Sequence, residues 1–245
     1  MDLAGKVALV SGGSRGIGAA IATALAREGA DVAITYVSAV DKAQAVVAQI
    51  QALGRRALAL RADSADVVEV RAAVEQTAAE FGALDILVNN AGIALMGPLQ
   101  EVTLEDVDRT LSIHVRASFV AAQAAARHMR ADGRVINIGS CLAERVAGAE
   151  MTLYAMSKSA LIGLSKGLAF DLGPRGITAN VVHPGPIDTD MNPADSAQAD
   201  EQRAKLALGH FGTAADVAAT VVHLAGPGGR FITGTSIAVD GGSSA

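Results

Sequence analysis

The 245-residue chain is 51% hydrophobic, 18% charged and only 3% aromatic, a balance that supports a large aliphatic core and excludes a disordered polymer. A net charge of -5, with no Lys/Arg cluster, leaves a phosphate-tracking nucleic-acid surface without electrostatic support. The acidic start at Asp2, uncharged runs short of the roughly 18 residues that span a bilayer, and a single cysteine, Cys141, predict a cytoplasmic protein with no internal disulfide and no membrane partner.

Along the chain, short apolar runs alternate with helical patterns. The runs are VALV (7–10), VAIT (32–35), ALAL (57–60), ILV (86–88), RVINI (134–138) and ITANVV (177–182). They lack polar alternation, which suits strands buried on both faces of a parallel sheet. Between them, Ile17, Ile21, Ala24 and Leu25 keep helical spacing ahead of Gly29. Val67, Val70, Val74, Ala78 and Phe81 do so ahead of Gly82, and Leu161, Leu164, Leu168 and Leu172 ahead of Gly173. Six or seven β-α units in series predict one α/β domain over 1–245, a doubly wound parallel sheet of about seven strands with helices on both faces. Ligands of such sheets bind beyond the carboxyl ends of the strands, where strand order reverses. The polar segment 188–212 interrupts the pattern and reads as a part-helical cover over that site.

The turn after the first run is SGGSRGIG (11–18). Gly12, Gly16 and Gly18 permit a tight turn and close backbone approach, and the following helix N-terminus offers amide donors and a positive dipole end to phosphate. A glycine-rich turn that binds nothing has the same appearance. The second run ends in Tyr36, Val37 and Ser38, where NAD sites place an acid on the ribose. With no carboxylate there, and with Arg15 available to a 2'-phosphate, NADP(H) is favoured over NAD(H). NNAG (89–92) follows the fourth run, Ser140 follows the fifth, YAMSK (154–158) opens the next helix, and HPGPIDTDM (183–191) ends the sixth. All are expected at the carboxyl edge of the sheet.

In joint order and spacing, SGGSRGIG, RADSAD, NNAG, Ser140 with YAMSK, HPGPIDTDM and TGTSIAVDGG (233–242) resemble the short-chain dehydrogenase/reductase family over essentially the whole chain, nearest to NADPH-dependent 3-oxoacyl reductase-like ketoreductases. The resemblance implies a carbonyl reductase or alcohol dehydrogenase acting on a small-molecule ketone or alcohol. Lys158, one helical turn from Tyr154, is expected to make the phenol acidic enough to exchange a proton with the substrate oxygen, and Ser140 to orient that oxygen. The resemblance further implies that Lys158 holds the nicotinamide ribose. It assigns Ser14, Arg15 and Ile17 to phosphates and ribose, Asp63 and Ser64 to the adenine edge, and Asn90, Ala91 and Gly92 to the ribose and nicotinamide floor. Pro184, Gly185, Ile187 and Thr189 fall in the loop that holds the carboxamide. A homotetramer or homodimer is the family expectation.

One position departs from the pattern. In SIHVRAS (112–118), His114 stands where the family usually has an asparagine that completes a tetrad with Ser140, Tyr154 and Lys158. Its two ring nitrogens suit a proton relay, and a pKa near 6.5 would add a pH dependence; an imidazole satisfied within its helix is the alternative. Cys141 is read as a small buried hydrophobe rather than a nucleophile, and the histidine spacing predicts no metal. A nucleotide-binding regulatory or ligand-sequestering protein on the same fold, with catalysis weakened at His114, is the competing reading. Leu95, Met96, Leu142, Glu144, Val146, Leu153, Met191 and Leu206 are the candidates for a mostly apolar substrate pocket.

Overall fold

The apolar runs become the strands of one parallel sheet, because residues buried on both faces need a layer of helix above and below. The computed structural model describes residues 2–146 and 148–245. Strands β1 (Val7–Val10), β2 (Asp31–Tyr36), β3 (Ala57–Arg61), β4 (Leu84–Asn89), β5 (Met129–Ile138), β6 (Thr178–Pro184) and, nearest the C-terminus, β9 (Ser236–Val239) pair in the order β3-β2-β1-β4-β5-β6-β9. Order reverses between β1 and β4, both of which pair in parallel. Strand β5 begins at Met129, ahead of the expected Arg134, since Met129 pairs with Leu84 before a register irregularity. Strand β9, which lacks a long apolar run, is held by parallel pairing to β6 from Val181↔Ser236 to Pro184↔Val239.

Helices α1 (Gly16–Arg27), α2 (Val40–Ala52) and α8 (Ala214–Ala225) cover one face, where Ile21, Leu25, Ile50, Val221 and Leu224 pack on Ile34 and Ile86. On the other face Val74, Ala122, Ala125 and Leu172 pack on Leu9, Leu87 and Val135, from α3 (Val67–Phe81), α5 (Ala117–His128) and α6 (Thr152–Leu172). Each fully buried Leu or Ile contributes roughly 1.5–3 kcal/mol. Local signals fix several helix ends. Asp66 caps α3 by accepting from the Val68 and Glu69 amides, and Gly82, at φ 80, ends it in the left-handed region.

Helix α4 (Leu104–Leu111) runs into α5 through a π-helical turn at Ser112–Arg116. The segment 188–212 holds the short helix α7 (Ala199–Ala204), and its ends bear the two-residue strands β7 (Ile187–Asp188) and β8 (Gly212–Thr213), which pair in a separate ribbon. Among the described residues, no helix is long and apolar enough to cross a membrane.

Candidate active site

The glycine turn lies at the carboxyl end of β1, and the strand beside it anchors it. Ser11 Oγ accepts from the backbone amides of Asn90 and Ala91 at 2.9 and 3.0 Å, while Asn90 Nδ2 donates to the carbonyls of Ser11 and Gly12. Gly12 N–H donates to Thr35 Oγ1 at 3.1 Å. Gly16 has φ 54, and a Cβ on Gly18 would stand 2.4 Å from the Gly12 carbonyl oxygen, so the turn closes onto its own helix only with glycine there. Arg15, the N-cap of α1, supplies no side-chain cap, and the first turn of the helix carries no acid. Its leading amides are left to an anion. Ser14, Arg15 and Ile17 lie on this turn, with Arg15 exposed and Ile17 packed against the core.

Around the turn, Tyr36 is half-buried and Ser38 exposed at the end of β2. Asp63 follows β3 with its carboxylate on the Ala65 amide at 2.8 Å, and Ser64 is buried. Pro184, Gly185, Ile187 and Thr189 follow β6. Thr189 reaches back to the glycine turn, where a Cβ on Gly16 would sit 3.5 Å from Thr189 Cγ2. The sequence-predicted cofactor residues thus follow the carboxyl ends of β1, β2, β3, β4 and β6, and Ser11, Thr35, Ser64 and Ala91 line one cavity there.

Beside it lies the candidate proton-transfer group. Ser140 is carried by the end of β5 and caps the short turn Cys141–Ala143, its hydroxyl accepting from the Leu142 amide at 3.2 Å. Tyr154 and Lys158 share one face of α6. The ammonium lies 5.8 Å from the phenol ring centroid and donates to the Ile138 carbonyl at 3.0 Å. A Cβ added at Gly92 would stand 3.4 Å from Lys158 Nζ, which puts the lysine at the floor of the crevice.

The electrostatics differ from the expectation of an acidified phenol. Burial pushes the Tyr154 phenol up to about 12; interaction with the Ser140 side chain pulls the other way without prevailing. Burial also brings Lys158 down to about 8. Desolvation is the largest cause at both groups.

His114 sits in the π-helical turn, an irregularity common at functional sites, with its ring edge-on to Tyr154 at 5.8 Å between centroids. Its Nε2 accepts from the Ile93 amide at 3.0 Å, and Nδ1 meets Ser157 Oγ at 2.8 Å. Ser157 donates its hydroxyl proton to the Tyr154 carbonyl. These partners assign the proton to Nδ1 and leave the neutral ring fully bonded. Burial, helped by the Lys158 charge, lowers its pKa to about 3. The pH dependence near 6.5 expected from sequence is therefore removed.

Cys141 is buried and burial pushes its thiol up, which makes it a poor nucleophile. Of the pocket candidates, Leu153 and Leu206 are buried in the interior, whereas Met96, Val146 and Met191 are exposed. Sequence reasoning passed over Ser11 and Ser157, the groups that tie the glycine turn and the imidazole in place. A single serine beside a glycine turn or inside a helix carries no local signal of a long-range bond. No cluster of three or more potential metal ligands occurs among the described residues.

The uncapped helix start, the close glycine approach and Lys158 against Gly92 fit a dinucleotide. Comparison with known proteins agrees. A family described as Enoyl-(Acyl carrier protein) reductase matches residues 12–244. Two solved structures align over 100% of both chains at 62% identity: a blue fluorescent protein from a metagenomic library in complex with NADPH, TM-score 0.98, and a short chain dehydrogenase from Burkholderia cenocepacia J2315 in complex with NADP, TM-score 0.99. A cyclic-di-GMP-binding biofilm dispersal mediator protein of Escherichia coli (strain K12) is 45% identical over 237 residues, covering 97% of this chain and 96% of that protein. Fold, motif order and relatives agree: the chain belongs to the short-chain dehydrogenase/reductase family of oxidoreductases.

Proposed function

We propose that the protein is an NADPH-dependent oxidoreductase that interconverts a ketone and a secondary alcohol. The observation that carries this reading is the convergence of Ser140, whose side chain acts on the Tyr154 phenol, with Tyr154 and with Lys158, the last lying against Gly92. NADPH, when bound, supplies the hydride, and its oxidised form a positive charge near the phenol. Gly12, Gly16 and Gly18 would cradle the pyrophosphate, Arg15 and the acid-free stretch Tyr36–Ser38 would accept the 2'-phosphate, and Asp63 and Ser64 would hold the adenine. Asn90, Ala91 and Gly92 would form the floor, and Pro184, Gly185, Ile187 and Thr189 would hold the carboxamide. The NADPH- and NADP-bound structures of the two relatives support this cofactor.

Ser140 orients the substrate oxygen and Tyr154 donates the proton to it, becoming the base in the oxidative direction. Lys158 holds the positive charge that the phenol needs and contacts the cofactor ribose. His114 acts by position, fixing the Ile93 amide and α6 through Ser157. A homotetramer or homodimer is the family expectation, and the exposed Phe119, Phe170 and Phe231 are candidates for its seams.

A panel of ketones assayed with NADPH and NADH tests the reading. Tyr154→Phe is expected to lower turnover about 10²–10⁴-fold while NADPH still binds, as followed by its fluorescence. For the free enzyme, kcat/KM of reduction is expected to fall as pH rises through about 8, where Lys158 loses its charge. Undiminished turnover in Tyr154→Phe overturns the assignment. The E. coli relative favours a second reading, a nucleotide-binding regulatory protein: tight binding of a cyclic dinucleotide or NADPH with no turnover of any ketone would support it.

A further inference from the structure

His183 belongs to no role described above, yet it is wholly buried (0% exposed) one strand from Ser140. The backbone ladder between β5 and β6 ends at Ile138↔Val182, and Gly139 N–H still donates to the Val182 carbonyl at 2.7 Å. The next amide, that of Ser140, donates instead to His183 Nδ1 at 3.0 Å. The imidazole takes the place of a carbonyl and carries the ladder one residue further, to the serine itself. Gly139 makes room for it, since a Cβ there would stand 2.3 Å from Nδ1. With Nδ1 accepting, the neutral ring bears its proton on Nε2. That atom is buried without a hydrogen-bond partner among the described residues, and Glu144 Oε1 lies 3.5 Å away. A buried polar group kept without a partner calls for a reason other than stability.

We propose that His183 is a positioning residue for Ser140: by accepting the Ser140 amide it fixes the extended backbone, φ -165 and ψ 150, that aims the hydroxyl at the substrate oxygen. The inference rests on the proposed role of Ser140 in carbonyl reduction. Burial keeps the ring below its ordinary pKa, so Nδ1 stays an acceptor at neutral pH.

The test is a double-mutant cycle on a ketone that the wild-type protein reduces. His183→Leu removes the acceptor; His183→Asn offers an amide oxygen in its place. Removal is expected to lower kcat about 10-fold or more, to leave the NADPH dissociation constant within about 2-fold, and to be largely reversed in His183→Asn. In a Ser140→Ala background the same removal is expected to cost almost nothing, because both act through one hydroxyl. NADPH binding reports that each variant is folded; His183→Ser replaces His183→Leu if the latter is not. Independent, multiplying effects of His183→Leu and Ser140→Ala, or equal losses in His183→Leu and His183→Asn, overturn the proposal while a Tyr154→Phe loss leaves the reductase reading standing. A wild-type protein without ketone turnover removes both.

Discussion

On opposite edges of the sheet, the buried carboxylates of Asp85 and Asp31 and the buried ammonium of Lys158 are treated in opposite ways. At the amino edge, the Asp85 carboxylate is 1% exposed and saturated: it accepts from the Val7 amide at 2.9 Å and from Arg130 Nη2 at 2.6 Å, with Lys6 Nζ at 3.6 Å. Asp31, at the start of β2, is likewise gripped by Arg55 and Arg56, both at 2.8 Å. Burial alone would raise its carboxyl; hydrogen bonds from Arg56 and Arg55 outweigh that and hold it below the ordinary range. At the carboxyl edge, Lys158 is 5% exposed and faces a lone carbonyl, with no carboxylate in ion-pair reach among the described residues. Its burial lowers its own pKa. Asp85 and Asp31 are compensated where the fold is held, whereas Lys158 is left without a counter-charge where chemistry is proposed, as expected of a site that retains a perturbed group at some cost in stability.

That contrast can be broken from the paired side first. Asp85→Ala strands the buried Val7 amide and removes charge-assisted bonds worth about 1.5–3 kcal/mol each, so a loss of about 3 kcal/mol is expected in urea unfolding, with NADPH affinity retained by the folded fraction. From the other side, Lys158→Met replaces an unpaired buried ammonium by an apolar chain of similar length. The free protein is expected to gain about 1–2 kcal/mol while ketone turnover collapses. A destabilised Lys158→Met would show that the ammonium is compensated after all.

The smallest effect concerns acid. The unfolded chain protonates His114 near pH 6.5, whereas the folded protein resists until about 3. Between those values the unfolded state binds the extra proton, and stability falls as pH falls. His114→Asn is expected to remove a slope of roughly 1 kcal/mol per pH unit within that window, read from urea midpoints at pH 6.5 and 5.5. An unchanged slope would mean that the ring is protonated in the fold.

Much of this was legible in residue order. VALV, VAIT and ITANVV announced buried parallel strands because an uninterrupted aliphatic run has no solvent face. SGGSRGIG and YAMSK announced a phosphate turn and a phenol–ammonium pair because both depend on fixed local spacing. His114 was legible as a departure, but residue order left a relay and a satisfied imidazole both open, since its partners, the Ile93 amide and Ser157, lie 21 and 43 residues away. His183 was set aside with the other histidines lacking metal spacing, and its bond to Ser140 spans 43 residues.

By itself the sequence determined periodicity, turns and the pairing of Tyr154 with Lys158, all set within a helical turn or a strand. Only the tertiary structure decided protonation. Burial is a property of what packs around a group, and here it moved Tyr154 up, Lys158 down and His114 far below neutrality, because removing water disfavours whichever form carries the charge.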